Sequence, residues 1–283
     1  MGIFLIRNLF FLFSAISLCS VTLWGDTVTF AQFQEAGKGG NYFTYVNSAN
    51  SAVFESRDPQ TGSSSVPVTF SFLSFATNDL PGDLQGPQAA HMSFYVKTTQ
   101  PVGTAGSFFD QNLYSVDANG VPNYGTITFT RDTPDAELHE TNLLTVSFYA
   151  RAGGLDGIRR GQTAILTADN TANVNGEIDY VQFSSSYLDF RSGSDENLAL
   201  SFTSANPCFT LFKNVTKGKG GCVVSGNSLL TFLHAFTAAG TGTFASDPQP
   251  TTVFATPEPA SAALLLLSAP LMVLCLRRRK SAR

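Results

Sequence analysis

Apolar residues recur at every second position through most of this chain, and any fold it adopts must satisfy that period. Val68-Thr69-Phe70-Ser71-Phe72, Ser93-Phe94-Tyr95-Val96, Thr126-Ile127-Thr128-Phe129-Thr130 and Leu144-Thr145-Val146-Ser147-Phe148-Tyr149 all follow it. So do Val28-Thr29-Phe30, Ile178 to Phe183 and Leu198 to Phe202. β-Branched and aromatic residues at this spacing suit a pleated sheet with one face in a core and one in water. The breaks carry turn chemistry: Pro81-Gly82-Asp83, Asp117-Ala118-Asn119-Gly120, Gly153-Gly154 and Asn173-Val174-Asn175-Gly176, where glycine or asparagine can take positive φ. Helical periods are scarce. The pattern predicts an all-β fold, a β-sandwich of jelly-roll type, with a barrel as the alternative. Phenylalanine supplies 25 of 283 residues, most at alternate strand positions, where each buried ring contributes roughly 1.5–3 kcal/mol. If aromatic rings are exposed anywhere, Tyr42, Phe43 and Tyr45 beside the glycine-rich Gly37 to Gly40 are the place expected, as a platform for sugar rings.

The two ends read differently. Met1 to Arg7 is short and basic and Asn8 to Trp24 is largely apolar, the order of a secretory signal helix, here given residues 1–25. At the other end an uncharged apolar run, Ala260 to Leu276, is followed by Arg277-Arg278-Arg279-Lys280. Its 17 residues are at the lower limit for a transmembrane helix, and the basic group after it would stay cytoplasmic, leaving the rest of the chain outside.

Pro257-Glu258-Pro259, then the apolar run, then the arginine cluster, resembles the PEP-CTERM sorting signal of exported bacterial proteins. The resemblance covers about a tenth of the chain and rests on three parts in the right order at the right end. It implies that an exosortase, an integral-membrane cysteine transpeptidase, recognises the chain near Pro257-Glu258-Pro259 and cuts it there. It also implies a bacterium that makes extracellular polysaccharide. The strands from Val181 to Phe244 are similar to closing strands of uncharacterised PEP-CTERM proteins, which implies no activity. The chain therefore divides into a signal peptide (1–25), a β ectodomain (26–245), a Pro/Thr spacer (246–256) and a sorting signal (257–283), with its membrane run at 260–276 and basic tail at 277–283.

Between Asp26 and Thr256 there are 11 Lys and Arg against 20 Asp and Glu, a net charge of −9. A domain so acidic, without a basic stripe, is a poor nucleic-acid ligand, since phosphate neutralisation supplies most of that affinity. Cys208 and Cys222 are the two cysteines outside the targeting segments, and an oxidising compartment predicts a bridge between them. The expected geometry is a hairpin, with Phe209 to Phe212 as one strand and Lys217 to Gly221 as its turn. Catalysis has little to work with. His91, His139 and His234 are dispersed, and Leu143 stands where a zinc-protease helix beginning at His139-Glu140 needs its second histidine. Carboxylate pairs such as Glu137/Glu140 or Asp179/Asp189 need geometry before they mean glycoside cleavage. Asp169, Asn170, Asn173, Asn175, Glu177 and Asp179 are oxygen-rich around Gly176, but Thr171 and Gln182 stand at the first and twelfth positions of an EF-hand register. The reading is thus a non-enzyme with no cofactor, metal or catalytic residue: an exported protein, tethered at the inner membrane through 260–276 and then displayed at the cell surface or released. Its ectodomain is structural or glycan-binding, with extracellular polysaccharide as partner. The alternatives are a secreted carbohydrate-active enzyme and a permanently anchored membrane protein.

Overall fold

The computed structural model describes residues 28–250, apart from 38–39, 74–79, 135–138, 171–175, 177, 191–193, 219–220 and 226–227. The chain opens with β1 (Val28–Glu35), β2 (Phe43–Asn47), β3 (Ala52–Ser56) and β4 (Ser65–Phe72), then a 3-10 turn (Gly82–Leu84) and β5 (Gln88–Thr98). Short β6 (Gly103–Ala105), β7 (Phe108–Leu113), β8 (Ser115–Val116) and β9 (Pro122–Asn123) lead to β10 (Gly125–Thr130) and the long β11 (Asn142–Ile158). β12 (Ala164–Asp169), β13 (Tyr180–Ser184), β14 (Leu188–Phe190) and β15 (Asn197–Asn206) follow. Last come β16 (Val215–Gly218), β17 (Gly221–Val224), β18 (Phe236–Ser246) and β19 (Pro248–Pro250).

Eight antiparallel staves close into a barrel, in chain order: β1 continued by β2, β3 continued by β4, then β5, β10, β11, β12, β15 and β18. The last stave pairs with the first, Val28 opposite Ser246 and Gln34 opposite Thr241, and this one ladder corrects the expected sandwich. A sandwich and a barrel ask for the same alternation along each strand; what separates them is a pairing between the two extremes of the domain, which leaves no local mark. Closure also removes the free edges that two open sheets would present. The other correction concerns helices. Among the described residues the 3-10 turn is the only helical element, and none is a helix long and apolar enough to cross a membrane. The expected signal helix (1–25) and transmembrane helix (260–276) lie outside the described residues.

Alternation predicts which way each stave faces. Phe33, Phe43, Phe54, Phe70, Phe94, Phe129, Phe148, Phe202 and Phe244 are all buried, and rings from non-adjacent staves meet in the lumen: Phe43 and Phe202 at 5.0 Å, Phe33 and Phe129 at 5.0 Å, Phe54 and Phe202 at 5.0 Å. Outward positions carry Gln32, Gln34, Thr126, Ser201, Thr241 and Thr243. This is the reverse of the apolar-out order of a barrel that faces lipid. An eight-stranded ring leaves a lumen about as wide as its own side chains, so rings from opposite staves compete for the axis. Gly240 and Gly242 on β18 settle that competition: a Cβ on Gly240 would lie 2.5 Å from the Phe43 ring, and one on Gly242 would collide with Phe33 and Leu200.

Two ends can be told apart. At one lie Val28, Phe72, Gln88, Thr130, Asn142, Asn197 and Ser246; at the other lie Asn47, Ala52, Thr98, Ile158, Ala164 and Phe236. The first end, which bears both chain termini of the barrel, is closed by Phe190 and Phe183 against Phe30, at 5.3 and 5.4 Å. Pro248–Pro250, the start of the expected spacer, pair with β14 there. Phe209 closes the second end, 4.6 Å from Phe236 and 5.4 Å from Phe109. Cys208 and Cys222 form the disulfide, with Cα atoms 5.6 Å apart. The hairpin is shifted from the expected one: β16 and β17 are its arms, and Cys208 lies outside it, buried, so the bridge fastens the hairpin to the plug rather than joining its two strands.

Two carboxylates are embedded in this frame. Glu35 Oε1 accepts the Gly240 N–H at 2.8 Å and Glu196 Oε2 accepts the Phe183 N–H at 3.0 Å. Burial outweighs those bonds and raises each pKa from 4.5 to about 7. The folded state therefore holds protons that the unfolded chain has released, and stability is lost as pH rises from about 4.5 through 7. Thermal melting should accordingly be higher at pH 5 than at pH 8, and Glu35→Gln with Glu196→Gln should flatten the difference; an equal slope in the double variant would refute the assignment. Gly242→Ala should destabilise by about 1–3 kcal/mol through overpacking, read as a shift in the denaturant midpoint at unchanged slope.

Candidate functional site: an outward tyrosine platform

Sequence reasoning placed a possible aromatic platform at Tyr42, Phe43 and Tyr45. Phe43 and Tyr45 are instead fully buried, and Tyr42 packs partly buried against the core. β2 places Phe43 and Tyr45 on the lumen face, and the Tyr45 hydroxyl is satisfied inside by Gln111 Oε1 at 3.1 Å. The outward cluster of rings is elsewhere, and it is made of tyrosines.

On β11, Leu144, Val146 and Phe148 point inward, so Tyr149 must point out; on β13, Val181 and Phe183 point inward, so Tyr180 must point out. The two strands pair with Tyr149 directly opposite Tyr180, and the rings stack at 5.6 Å with an interplanar angle of 19°. Tyr124, just before β10, lies 4.7 Å from Tyr180 and 5.7 Å from Tyr149. Tyr114, between β7 and β8, meets Tyr149 edge-on at 5.4 Å, and the Arg151 guanidinium caps Tyr114 at 4.9 Å. Tyr124 is 46% exposed, as is Tyr95 on neighbouring β5. A cross-strand pair alone explains Tyr149 and Tyr180 as sheet stabilisers. It gives no reason for Tyr114, Tyr124 and Arg151 to gather around them.

The base of the platform is a bend in β11. Gly153 and Gly154 were expected to end a strand; they lie within one, at a register break between Ala150 and Leu155 where the stave changes partners. The N–H groups of Arg151 and Ala152 donate to Asp179 Oδ1 at 2.6 Å each, and that of Gly153 to Asp179 Oδ2 at 2.9 Å. Asp179 is buried, and its carboxylate thus replaces the ladder bonds that the bend forfeits. A side chain on Gly153 would strike that carboxylate. The same contact sets where Arg151 leaves the sheet toward Tyr114.

Burial first, then repulsion from neighbouring tyrosines, holds the Tyr149 and Tyr180 hydroxyls above their ordinary pKa. They are neutral donors at any physiological pH. Tyr180 Oη already donates to Gln182 Oε1. Rigid rings with polar tips, a fixed guanidinium and a row of amide and hydroxyl groups form a surface that can stack on the C–H face of a sugar and hydrogen-bond its hydroxyls.

The other candidates are not brought together. His91 Nε2 pairs with Asp132 at one end of the barrel, 3.2 Å away, whereas His234 lies at the other with Nδ1 2.8 Å from Ala235 O; exposed His139 has φ 58°. Asp179 is spent on the bend and Asp189 is on β14, so that pair does not exist as a site; Glu137 lies outside the described residues, and Glu140 accepts from Ser186 Oγ at 3.1 Å. In the oxygen-rich stretch, Asn170 Oδ1 is also committed, to the Val181 N–H at 2.7 Å. Among the described residues no group of three or more His, Cys, Asp or Glu could hold a metal ion. A carboxyl pair that sequence reasoning missed is Asp110 and Asp156, directly cross-strand on β7 and β11. Burial, then the Asp110 charge, raises Asp156 to about 6, and the two side chains hydrogen-bond each other. Glycoside cleavage wants carboxyls about 5 Å or more apart, with a substrate between them. Pro257, Glu258, Pro259, Arg277, Arg278, Arg279 and Lys280 lie outside the described residues.

Comparison of the chain with protein-family models, with curated proteins and with solved structures finds no match. Asp179→Ala should cost roughly 2–4 kcal/mol, because three backbone donors lose a shared buried acceptor. Chemical denaturation measures it, and a loss under about 0.5 kcal/mol, the range of ordinary surface substitutions, would show that the bend holds without its carboxylate.

Proposed function

We propose that this protein is exported, held at the membrane by its apolar 260–276 run, processed by an exosortase at Pro257-Glu258-Pro259, and displayed or released as a glycan-binding component of the extracellular matrix. The order of parts at its C-terminus supports the sorting half of this reading. The binding half rests on the tyrosine platform, where Tyr114, Tyr124, Tyr149, Tyr180 and Arg151 gather on an outward face that the core does not require. The reading assigns the barrel a binding role rather than a catalytic one: the cross-strand carboxyl pair Asp110 and Asp156 is self-bonded, and the lumen is filled with phenylalanine. Because Val28 and Pro250 leave the barrel at the same end, a tether beyond Pro250 would leave the platform's lateral face accessible.

The only tryptophan is Trp24, inside the expected signal peptide, so a processed chain fluoresces through its eight tyrosines, of which Tyr114, Tyr124, Tyr149 and Tyr180 form the platform. Titration of neutral glucans should change that emission. Tyr114→Ala with Tyr124→Ala should weaken binding roughly tenfold to thirtyfold, at about 1 kcal/mol per ring. Neutral glucans that neither perturb the emission nor retard the protein in affinity electrophoresis would remove the glycan reading. Intact mass of the protein from native cells should end near Pro257 to Pro259; retention of Arg277 to Arg283 would remove the processing.

A further inference from the structure

The charge of this acidic domain is unevenly placed. Three cations gather in the turns at the barrel end opposite the chain termini: Arg159 and Arg160 in the turn after β11 and Lys213 before the hairpin. The turn and the disulfide-bound segment are tied together, Arg160 N–H to Phe209 O at 2.6 Å and Phe209 N–H to Gly161 O at 3.0 Å. The Arg159 N–H bonds Ser107 O at 2.7 Å, and the Lys213 N–H bonds Ser228 O at 3.0 Å. Arg160 is held at φ 66°, a left-handed conformation rare for a side chain of its size, and its guanidinium lies over the Phe212 ring at 5.4 Å. Beside this basic rim runs a groove of about 430 Å³ walled by Phe108, Ile158, Ile165, Ser201 and Thr203, where Phe108 is 59% and Ile158 50% exposed. Asp156, the carboxyl in its wall, is turned to Asp110. The opposite end is more acidic than basic: Asp83, Asp132, Asp189, Asp195 and Asp247 lie around the chain termini, where Arg131 pairs with Asp83 at 2.9 Å and His91 with Asp132 at 3.2 Å.

We infer that the basic end is a second docking surface, for an acidic polysaccharide: Arg159, Arg160 and Lys213 take its carboxylates, and the exposed Phe108, Ile158 and Ile165 take the apolar faces of its sugar rings. The ligand class follows from the charge balance. A nucleic-acid duplex is charged so densely, with one phosphate per about 1.7 Å of its axis, that the acidic domain behind so small a rim would repel it. A polyuronate offers one carboxylate per sugar together with the ring faces that the groove can accept. A lipid surface is disfavoured because this end faces away from Pro250, where any tether departs. The inference goes beyond the proposed function, using different residues and a ligand of different charge.

The test uses the full chain in detergent with polygalacturonate, a neutral glucan and a single-stranded DNA oligonucleotide as probes. Polygalacturonate should bind, with log affinity falling against log NaCl at a slope of about −2 to −3, just under one unit for each of the three neutralised charges. R159Q/R160Q/K213Q should lose about tenfold or more in affinity at about 50 mM NaCl and lower the slope accordingly. Lys213→Gln alone, at an exposed side chain whose backbone bond to Ser228 is untouched, should lower the slope by about one without disturbing the fold. Polygalacturonate binding that ignores salt, an unchanged slope in both variants, or tighter binding of DNA than of polygalacturonate would each overturn the proposal. Neutral-glucan binding should survive the triple variant and fail in the tyrosine variant. Loss of glucan binding in the triple variant would overturn the claim of two surfaces, whereas failure of glucan binding throughout would count against the platform alone.

Discussion

The lumen of an eight-stranded barrel is about one side chain wide, and the rest of this structure follows from how that width is filled. Phenylalanines from opposite staves meet on the axis, and β18 makes room for them by carrying glycine at 240 and 242. Filling the interior in this way takes up the space that a wider ring would leave as a pore or a ligand cavity. Binding chemistry is therefore confined to the outer wall and the two ends. Phenylalanine and tyrosine divide the work accordingly. Apart from exposed Phe108, the rings without hydroxyls pack the lumen and its two ends, whereas Tyr114, Tyr124, Tyr149 and Tyr180 stand outside, where their polar tips meet water. Tyr45 and Tyr187 are inside, and each has a partner for its hydroxyl, Gln111 Oε1 and Glu140 O.

Much of this was legible in the chain itself. The period-two runs locate β4, β5, β10, β11, β13 and β15, and the Asp117 turn forms as expected, with Asp117 Oδ1 accepting the N–H groups of Asn119 and Val121 and Gly120 at φ 81°. The cysteine pair was equally readable, because only two cysteines remain once the ends are set aside. Three features were not. Closure depends on a ladder between the first and last staves, and neither strand carries a mark of its distant partner. Gly153-Gly154 has the composition of a turn and the role of a bend, a difference decided by Asp179 at the threshold of β13, 26 residues beyond Gly153 and past the whole of β12. The platform lies away from the glycine-rich loop, and the alternation holds its signal: a tyrosine in register with the polar face of its strand has nowhere to go but out. Applied to Tyr149 and Tyr180, that rule finds half the cluster. Tyr114 and Tyr124 flank short strands, and only the fold brings them near.

The two candidate surfaces differ in physical character, and the difference follows from where each sits. The platform is on the barrel wall, carried by paired strands with little freedom, so its rings are presented as a fixed array. The basic end is built from turns held by backbone bonds to the disulfide-bound segment, and its cations stand on the part of the molecule farthest from the acidic end. A body with opposite charge at its two ends has a preferred orientation in any charged surrounding. In a matrix of acidic polymer the termini would point away from the polymer.

The ladder between β1 and β18 also dictates an order of events. Each of the other stave contacts can form once the next stretch of chain is present, since the staves follow one another in sequence. The seam cannot: Val28 must wait for Ser246, on the last stave to be synthesised. A contact of that separation is slow to find and contributes nothing to stability until it is made. Without that ladder β1 and β18 would each present an unpaired edge. On the proposed export route, a seam that shuts last would keep the polypeptide threadable until its final strand has arrived.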